Sequence, residues 1–239
     1  MQHINDVTFE IRGDYALFSD PITRVGGEKI SYQVPTYEAI KGVLESVYWK
    51  PTIIWVVDEV RVMNQIKTES KAVRTLSYTT NKPDLSYYTY LKDVAYQVRA
   101  HFEWNMNRPE LEQDRNEGKH FEMAKRMIKK GGRRDVFLGT RECQAYVSPV
   151  CFGEGDGFYD HSGTLSFGLM YHGIIYPDEN AAKKNLTINF WNPQLVDGII
   201  KYTKPQDCPF NKIIKRETIK DFKEGVNFSL LKKLDEEDI

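Results

Sequence analysis

Three cysteines in 239 residues, Cys143, Cys151 and Cys208, are too few and too scattered for a disulfide framework, and no Cys-x-x-Cys pair is present. That usage fits a reducing compartment, and a cytoplasmic protein is expected. Long apolar runs are also missing. Ile53–Val57 is among the longest, against the roughly 20 residues that cross a bilayer. Met1–Asp6 carry neither the cationic nor the apolar region of a signal peptide, so none is expected. Nor is there an excess of one charge: 33 Lys and Arg against 34 Asp and Glu leave −1, with a pI near 6.5. Taken as an average, that balance argues against a nucleic-acid binder, which is usually basic.

Several catalytic signatures are absent. No Gly-x-Ser-x-Gly elbow, Gly-x-Gly-x-x-Gly loop or Walker loop occurs, which removes the usual sequence support for serine hydrolysis, dinucleotide binding and nucleotide hydrolysis. The histidines, His3, His101, His120, His161 and His172, are dispersed, with no His-Glu-x-x-His and no Cys/His quartet, so no metal or other cofactor is expected. Asp156, Asp160 and His161 sit in a glycine-rich stretch and could clamp a cation, but a polar turn explains them as well.

What is present is an ordinary globular composition: 41% hydrophobic, 28% charged and a mean hydropathy of −0.54. The length suits one large domain or two small ones. Val7, Phe9 and Ile11 alternate with polar neighbours, as in a half-buried strand. Asp20-Pro21 ends that run, and Thr23–Glu28 reads as a polar loop. Thr36 then caps a helix whose Ala39, Ile40, Val43, Leu44 and Val47 share one face, and Lys50-Pro51 stops it. Thr52–Asn64 reads as a buried strand. A second strand centres on Val94–Phe102, after a loop at Asn81–Asp84. A helix over Pro109–Lys130 is predicted to turn Phe121, Met123, Ala124, Met127 and Ile128 inward and to stop at Gly131-Gly132. Cys143, Ala145 and Val147 mark one more strand.

The order β-α-β-β-α-β over residues 5–150 predicts an α+β protein with a ferredoxin-like, RNA-recognition-type domain at 1–150. Both helices would cover one face of the sheet and leave the other free. Residues 151–239 read as a smaller β-rich subdomain, with short runs at Leu165–Tyr171, Leu186–Trp191 and Gly198–Tyr202 and a charged, frayed end at Lys232–Ile239.

Neutrality of the whole chain hides a local concentration of charge. Residues 119–134 hold seven Lys/Arg against one Glu, a net +6. Helix-dipole complementarity accounts for this, since the acids lie upstream and the bases downstream. It equally suits a footprint for a phosphate backbone. Within the same stretch, Lys119-His120 pairs a compact cation with a side chain that exchanges protons near neutral pH. Tyr48 ends the first helix; the split βαβ topology allows it to meet His120.

The strings GDYALFSDPITRVGGEKISYQVPTYEAIKGVLESVYWKP (Gly13–Pro51) and DRNEGKHFEMAKRMIKKGGRRDVFLGTREC (Asp114–Cys143) closely resemble one family. It is the CRISPR-associated Cas five family, in the "d" variant of subtype I-C systems. YTYLKDVAYQVRAHFEWN and GEGDGFYDHSG extend the resemblance over most of the chain. The resemblance implies an endoribonuclease that cuts CRISPR precursor RNA at the base of the repeat hairpin and remains as a subunit of the I-C Cascade complex. Tyr48, Lys119 and His120 stand at the family's catalytic positions. The implied chemistry is metal-independent, with a 2′-hydroxyl attacking to give a 2′,3′-cyclic phosphate. Lys129, Lys130, Arg133 and Arg134 are the candidate RNA-binding residues, with Arg24 of the Thr23–Glu28 loop and the free sheet face as weaker ones. The alternatives are a non-catalytic scaffold that caps the 5′ handle of the guide, and a general binder of double-stranded nucleic acid, DNA included.

Overall fold

A computed structural model describes residues 5–25, 27–76, 79, 81–177 and 184–218. β1 (Val7–Ala16) leads through a one-turn helix α1 (Pro21–Arg24) and β2 (Lys29–Ile30) into α2 (Tyr37–Val47), followed by β3 (Ile53–Val62). β4 (Lys67–Leu76) and β5 (Pro83–Trp104) form a long antiparallel ribbon. After a 3-10 segment at Pro109–Asp114 come α3 (Glu117–Lys130), β6 (Val136–Phe137) and β7 (Gln144–Pro149). The remainder is β8 (Thr164–Ser166), β9 (Met170–Ile175), β10 (Lys184–Trp191), β11 (Gln194–Val196), β12 (Ile199–Lys201) and β13 (Phe210–Thr218). A short 3-10 turn at Pro205–Asp207 precedes β13.

The chain is a mixed α/β protein of mostly antiparallel sheets with few helices. Its larger sheet runs β6-β7-β1-β5-β3-β12-β11-β8, with β2 and β4 also paired to the long β5. A separate sheet runs β13-β10-β9. Strands from beyond residue 150 therefore divide between the two sheets. The expected charged end, Lys232–Ile239, lies outside the described residues.

Register explains the core. Val7 faces Ala100, Phe9 faces Val98 and Ile11 faces Tyr96 across β1 and β5, so these apolar side chains share one face. On that face α2 packs against β3, and α3 against β1 and β7. α2 begins as expected: the Thr36 hydroxyl accepts from the Ala39 N–H at 3.2 Å. It buries Ile40, Val43, Leu44 and Val47.

The second helix differs from the expectation of one helix over Pro109–Lys130. The chain breaks at Arg115-Asn116, where the Asn116 side chain accepts from the Lys119 N–H at 3.0 Å and caps a new helix. Its buried residues are His120, Ala124 and Ile128, while Phe121, Met123 and Met127 sit at the margin of the core. Thr23–Glu28 is also not wholly loop, because Pro21–Arg24 closes one helical turn.

The second sheet face is free only in part, at Arg12, Tyr146 and Ser148. Gln97 and Arg61 are buried on that face and need partners for their polar atoms. The glycine-rich segment after β7 supplies them. Gly153 N–H donates to Gln97 Oε1 (2.8 Å), Gln97 Nε2 donates to the Glu154 carbonyl (2.7 Å), and Arg61 Nη2 donates to the Gly155 carbonyl (2.8 Å). Phe152 lies under the Arg99 guanidinium at 4.2 Å. An unsatisfied arginine and glutamine would be costly, and the backbone of this loop covers the β3–β5 part of the face where open sheet was expected.

Candidate active site

Tyr48 is placed by the end of α2. Its φ of −155° leaves the helix, its N–H still donates to the Leu44 carbonyl (2.8 Å), and Trp55 Nε1 donates to the Tyr48 carbonyl at 2.7 Å. The turn after α3 holds the same helix end. Arg133 and Arg134 donate their backbone N–H groups to the Val47 and Ser46 carbonyls, each at 3.1 Å. These bonds satisfy two of the carbonyls that a helix C-terminus leaves without partners. Gly131 and Gly132 make the turn at φ of 85° and 110°. A Cβ on Gly132 would lie 3.0 Å from the Arg134 carbonyl oxygen, so the second glycine is required there.

His120 sits in the first turn of α3 and is fully buried, at 0% exposure. Its Nε2 lies 2.8 Å from the Asp114 carbonyl oxygen, which only accepts, so this nitrogen carries the proton. Nδ1 lies 2.8 Å from the Tyr48 hydroxyl, which donates to it whenever the imidazole carries only the Nε2 proton. Trp104 and Phe102 pack edge-on against the imidazole, at 5.7 and 6.1 Å between ring centres. Burial pushes the Tyr48 hydroxyl pKa up, Asp114 adds to the rise and Arg133 opposes it.

Lys119 is exposed and pairs with Asp114, Nζ to Oδ1 at 2.6 Å. The other Asp114 oxygen accepts from Thr52 at 2.8 Å. The hydrogen bond from Lys119, then that from Thr52, hold the Asp114 carboxyl down at about 2. The fold thus brings Tyr48, His120 and Lys119 into one cluster. Asp114, Thr52 and Trp104 were not singled out from sequence. Only the proximity of Asp114 to Lys119-His120 along the chain signalled it.

The cations divide into two places. Lys129 and Lys130 are exposed at the end of α3, with Arg133 and Arg134 exposed just beyond. Arg24 is elsewhere, on a cleft of about 560 Å³ that it lines with Lys29, Thr36, Ser46 and Thr140. Asp160, weighed as a cation ligand, is bonded by Arg61 and by the Gly157 N–H, so a polar turn accounts for it. Asp6, Asp58 and His101 do bring ligand atoms within 4.8 Å of one another. There the His101 Nδ1 already pairs with Asp58 at 2.8 Å.

The family model described as CRISPR-associated protein (Cas_Cas5), in its Cas5d form, matches residues 6–203. A protein named CRISPR pre-crRNA endoribonuclease Cas5d, from Mannheimia succiniciproducens, is 30% identical over 223 residues, 82% of this chain and 94% of its own. Its namesake from Thermus thermophilus is 33% identical over 182 residues, 71% of this chain and 73% of its own. A crystal structure described as a CRISPR-associated protein superposes with a TM-score of 0.74 at 34% identity, covering 87% of this chain and 96% of that one. Sequence and fold agree over most of the length, and the chain belongs to the CRISPR-associated Cas5 family, in its Cas5d branch.

Proposed function

We propose that this chain is a pre-crRNA endoribonuclease that cuts CRISPR repeat RNA at the base of its hairpin without a metal ion. It then stays with the product as a subunit of a type I-C Cascade complex in the cytoplasm. The names of its relatives support the activity. The single structural observation that carries the reading is the hydrogen bond joining Tyr48 to His120, with Lys119 next in the chain. The domain reading supports it too: the order β7-β1-β5-β3, with α2 and α3 as crossovers, fits a ferredoxin-like unit at 1–150. The separate β13-β10-β9 sheet fits a β-rich subdomain within 151–239.

In the proposed chemistry the 2′-oxygen before the scissile phosphate attacks phosphorus. A new P–O2′ bond forms, the P–O5′ bond breaks, and the products are a 2′,3′-cyclic phosphate and a 5′-hydroxyl. His120 moves the proton, a contribution on the order of 10²–10⁴ in rate. Lys119 neutralises charge on the pentavalent phosphorus. Tyr48 orients the imidazole and hydroxyl. The stem docks on Lys129, Lys130, Arg133 and Arg134, with Arg24 as an outlying contact, because duplex RNA is read through shape and backbone. His120 is fully buried in this conformation with the Asp114 carbonyl against Nε2, so RNA binding must displace Asp114 and the chain around it.

That burial favours one competing reading, a non-catalytic scaffold that caps the 5′ handle. The two separate on incubation of the purified chain with its own repeat RNA in EDTA. A single cut that a 2′-deoxy substitution at the scissile nucleotide blocks supports the nuclease. Tight binding with no cut sinks it in favour of the scaffold, and a cut that needs Mg²⁺ sinks the mechanism.

A further inference from the structure

Trp104 is half-buried and borders a space that the cleavage chemistry leaves unused. It lines a cavity of about 510 Å³ together with Tyr37, Trp55, His172, Ile174 and Ile175. That volume lies within the roughly 300–1,000 Å³ of small-molecule sites. Tyr37 and His172 are stacked at 4.4 Å and 18°. His172 donates from Nε2 to the Thr203 carbonyl at 2.8 Å, and its buried Nδ1 has no hydrogen-bond partner among the described residues. Burial lowers the pKa of this ring to about 4, so it is neutral and Nδ1 is an acceptor. Among the lining residues Glu38 and Glu103 balance Lys41 and Lys204, with Lys204 paired to Glu103 at 2.6 Å. A lining of no net charge does not select a phosphate. Aromatic walls with polar groups at the edge suit a flat, uncharged ring that forms hydrogen bonds along its border.

The cavity adjoins the candidate active site. Trp104 packs against His120 and also lines the cavity. Met106 and Asn107, which also line it, lie just before the 3-10 segment Pro109–Asp114, whose last residue bonds His120. We propose that this cavity is a base-reading subsite, taking one unpaired nucleobase of the repeat RNA beside the cut, stacked on Trp104 with its edge toward Glu103, Lys204 and Gln206. The inference rests on the nuclease reading above and adds where the sequence of the RNA is read. Sequence-specific RNA recognition relies on splayed bases stacked on aromatic side chains, which the basic patch of α3 does not provide. A base entering here engages the stretch of chain that must move to open His120, which couples recognition to cleavage.

The test is an abasic scan. Repeat RNAs carrying one abasic nucleotide each, at the unpaired positions flanking the hairpin, are cut by the wild-type chain and by Ile175→Trp, which fills the cavity. One position is expected to lower wild-type kcat/KM about tenfold, as loss of one stacked base does. Ile175→Trp should slow intact RNA by a similar factor and make that abasic substitution silent. No sensitive position, or a sensitivity that persists unchanged in Ile175→Trp, overturns the proposal. If Ile175→Trp does not fold, Trp104→Leu takes its place with the same expectations. Affinities for uncleavable 2′-deoxy RNAs carrying the same abasic sites are measured in parallel. A chain that cuts nothing yet shows the cavity-dependent loss of affinity defeats the nuclease reading and leaves the subsite standing; one that cuts with no such loss defeats the subsite alone.

Discussion

The Tyr48 hydroxyl donates to His120 Nδ1 at 2.8 Å although 72 positions separate the two residues in the chain. The Asp114 carbonyl fixes one proton on Nε2, so in the unprotonated base form of the ring Nδ1 carries the lone pair that faces Tyr48. In that form His120 offers the lone pair and Tyr48 the proton. Burial, with help from Asp114, raises the Tyr48 pKa and keeps its phenol protonated at neutral pH. On the proposed chemistry His120 is the base of the pair, and Tyr48 aims it.

Tyr48→Phe should separate aiming from packing. The ring remains, but His120 Nδ1 loses its donor inside the core, which costs about 1–2 kcal/mol. Urea unfolding should show that loss while the fold persists. Single-turnover cleavage should slow at least about 10²-fold, the scale of a misplaced general base. A variant that is less stable yet cuts at the wild-type rate would remove Tyr48 from the mechanism.

Asp114→Asn tests what restrains Lys119. The carboxylate now holds the Lys119 ammonium at 2.6 Å, and with its pKa near 2 it stays charged at any working pH. Asparagine still accepts from Thr52 but no longer neutralises the lysine. RNA affinity at low salt should therefore rise, by about 3-fold for the gain of one phosphate-facing charge, and the gain should vanish at high salt. Filter binding at two salt concentrations decides it; unchanged or weaker binding means that Asp114 chiefly holds the 109–116 segment in place.

Much of this architecture was legible in the sequence where one element meets the core on one side. The Thr36 cap, the Ile40–Val47 face and the Gly131-Gly132 stop all appear where local chemistry dictated. β4 was missed for the complementary reason. Its ribbon with β5 packs little against the core, so its residues alternate between exposed and half-buried with no apolar stripe to announce a strand. The Asn116 break was hidden inside an apparently continuous helical pattern, because a cap acts through one side-chain bond rather than through periodicity. The covered sheet face was illegible for a third reason. Nothing local marks Gln97 and Arg61 as polar groups to be covered, and only the tertiary fold returns the 153–160 loop to bond them.

Arg133→Ala with Arg134→Ala should act on RNA binding alone. These residues hold the end of α2 through their backbone N–H groups, which alanine keeps, and their side chains are exposed. Stability should stay within about 0.5 kcal/mol of wild type. Affinity should fall, and the slope of log affinity against log salt should flatten by about 1.4 to 1.8, one increment for each lost phosphate contact. An unaltered slope would place the RNA elsewhere, and a large drop in melting temperature would make the arginines structural.

The pH dependence of stability should carry the signature of His172. Burial lowers its folded pKa to about 4, against an ordinary value of 6.5. Between those values the unfolded chain binds a proton that the folded chain refuses, so stability rises with pH across the window and is lost on acidification. The loss is about 2 kcal/mol at pH 5 and approaches about 3 kcal/mol near pH 4. His101 works the other way. Burial alone would lower its pKa, but the hydrogen bond and charge of Asp58, with Glu103, raise it, so its contribution is present at low pH and fades as pH rises. The two are told apart by difference. His172→Phe keeps an aromatic ring against Tyr37 and removes the titration, so urea unfolding from pH 7 to pH 5 should be flatter in the variant by about 2 kcal/mol. Parallel curves for the two proteins would mean that His172 takes up its proton as readily in the folded chain as in the unfolded one.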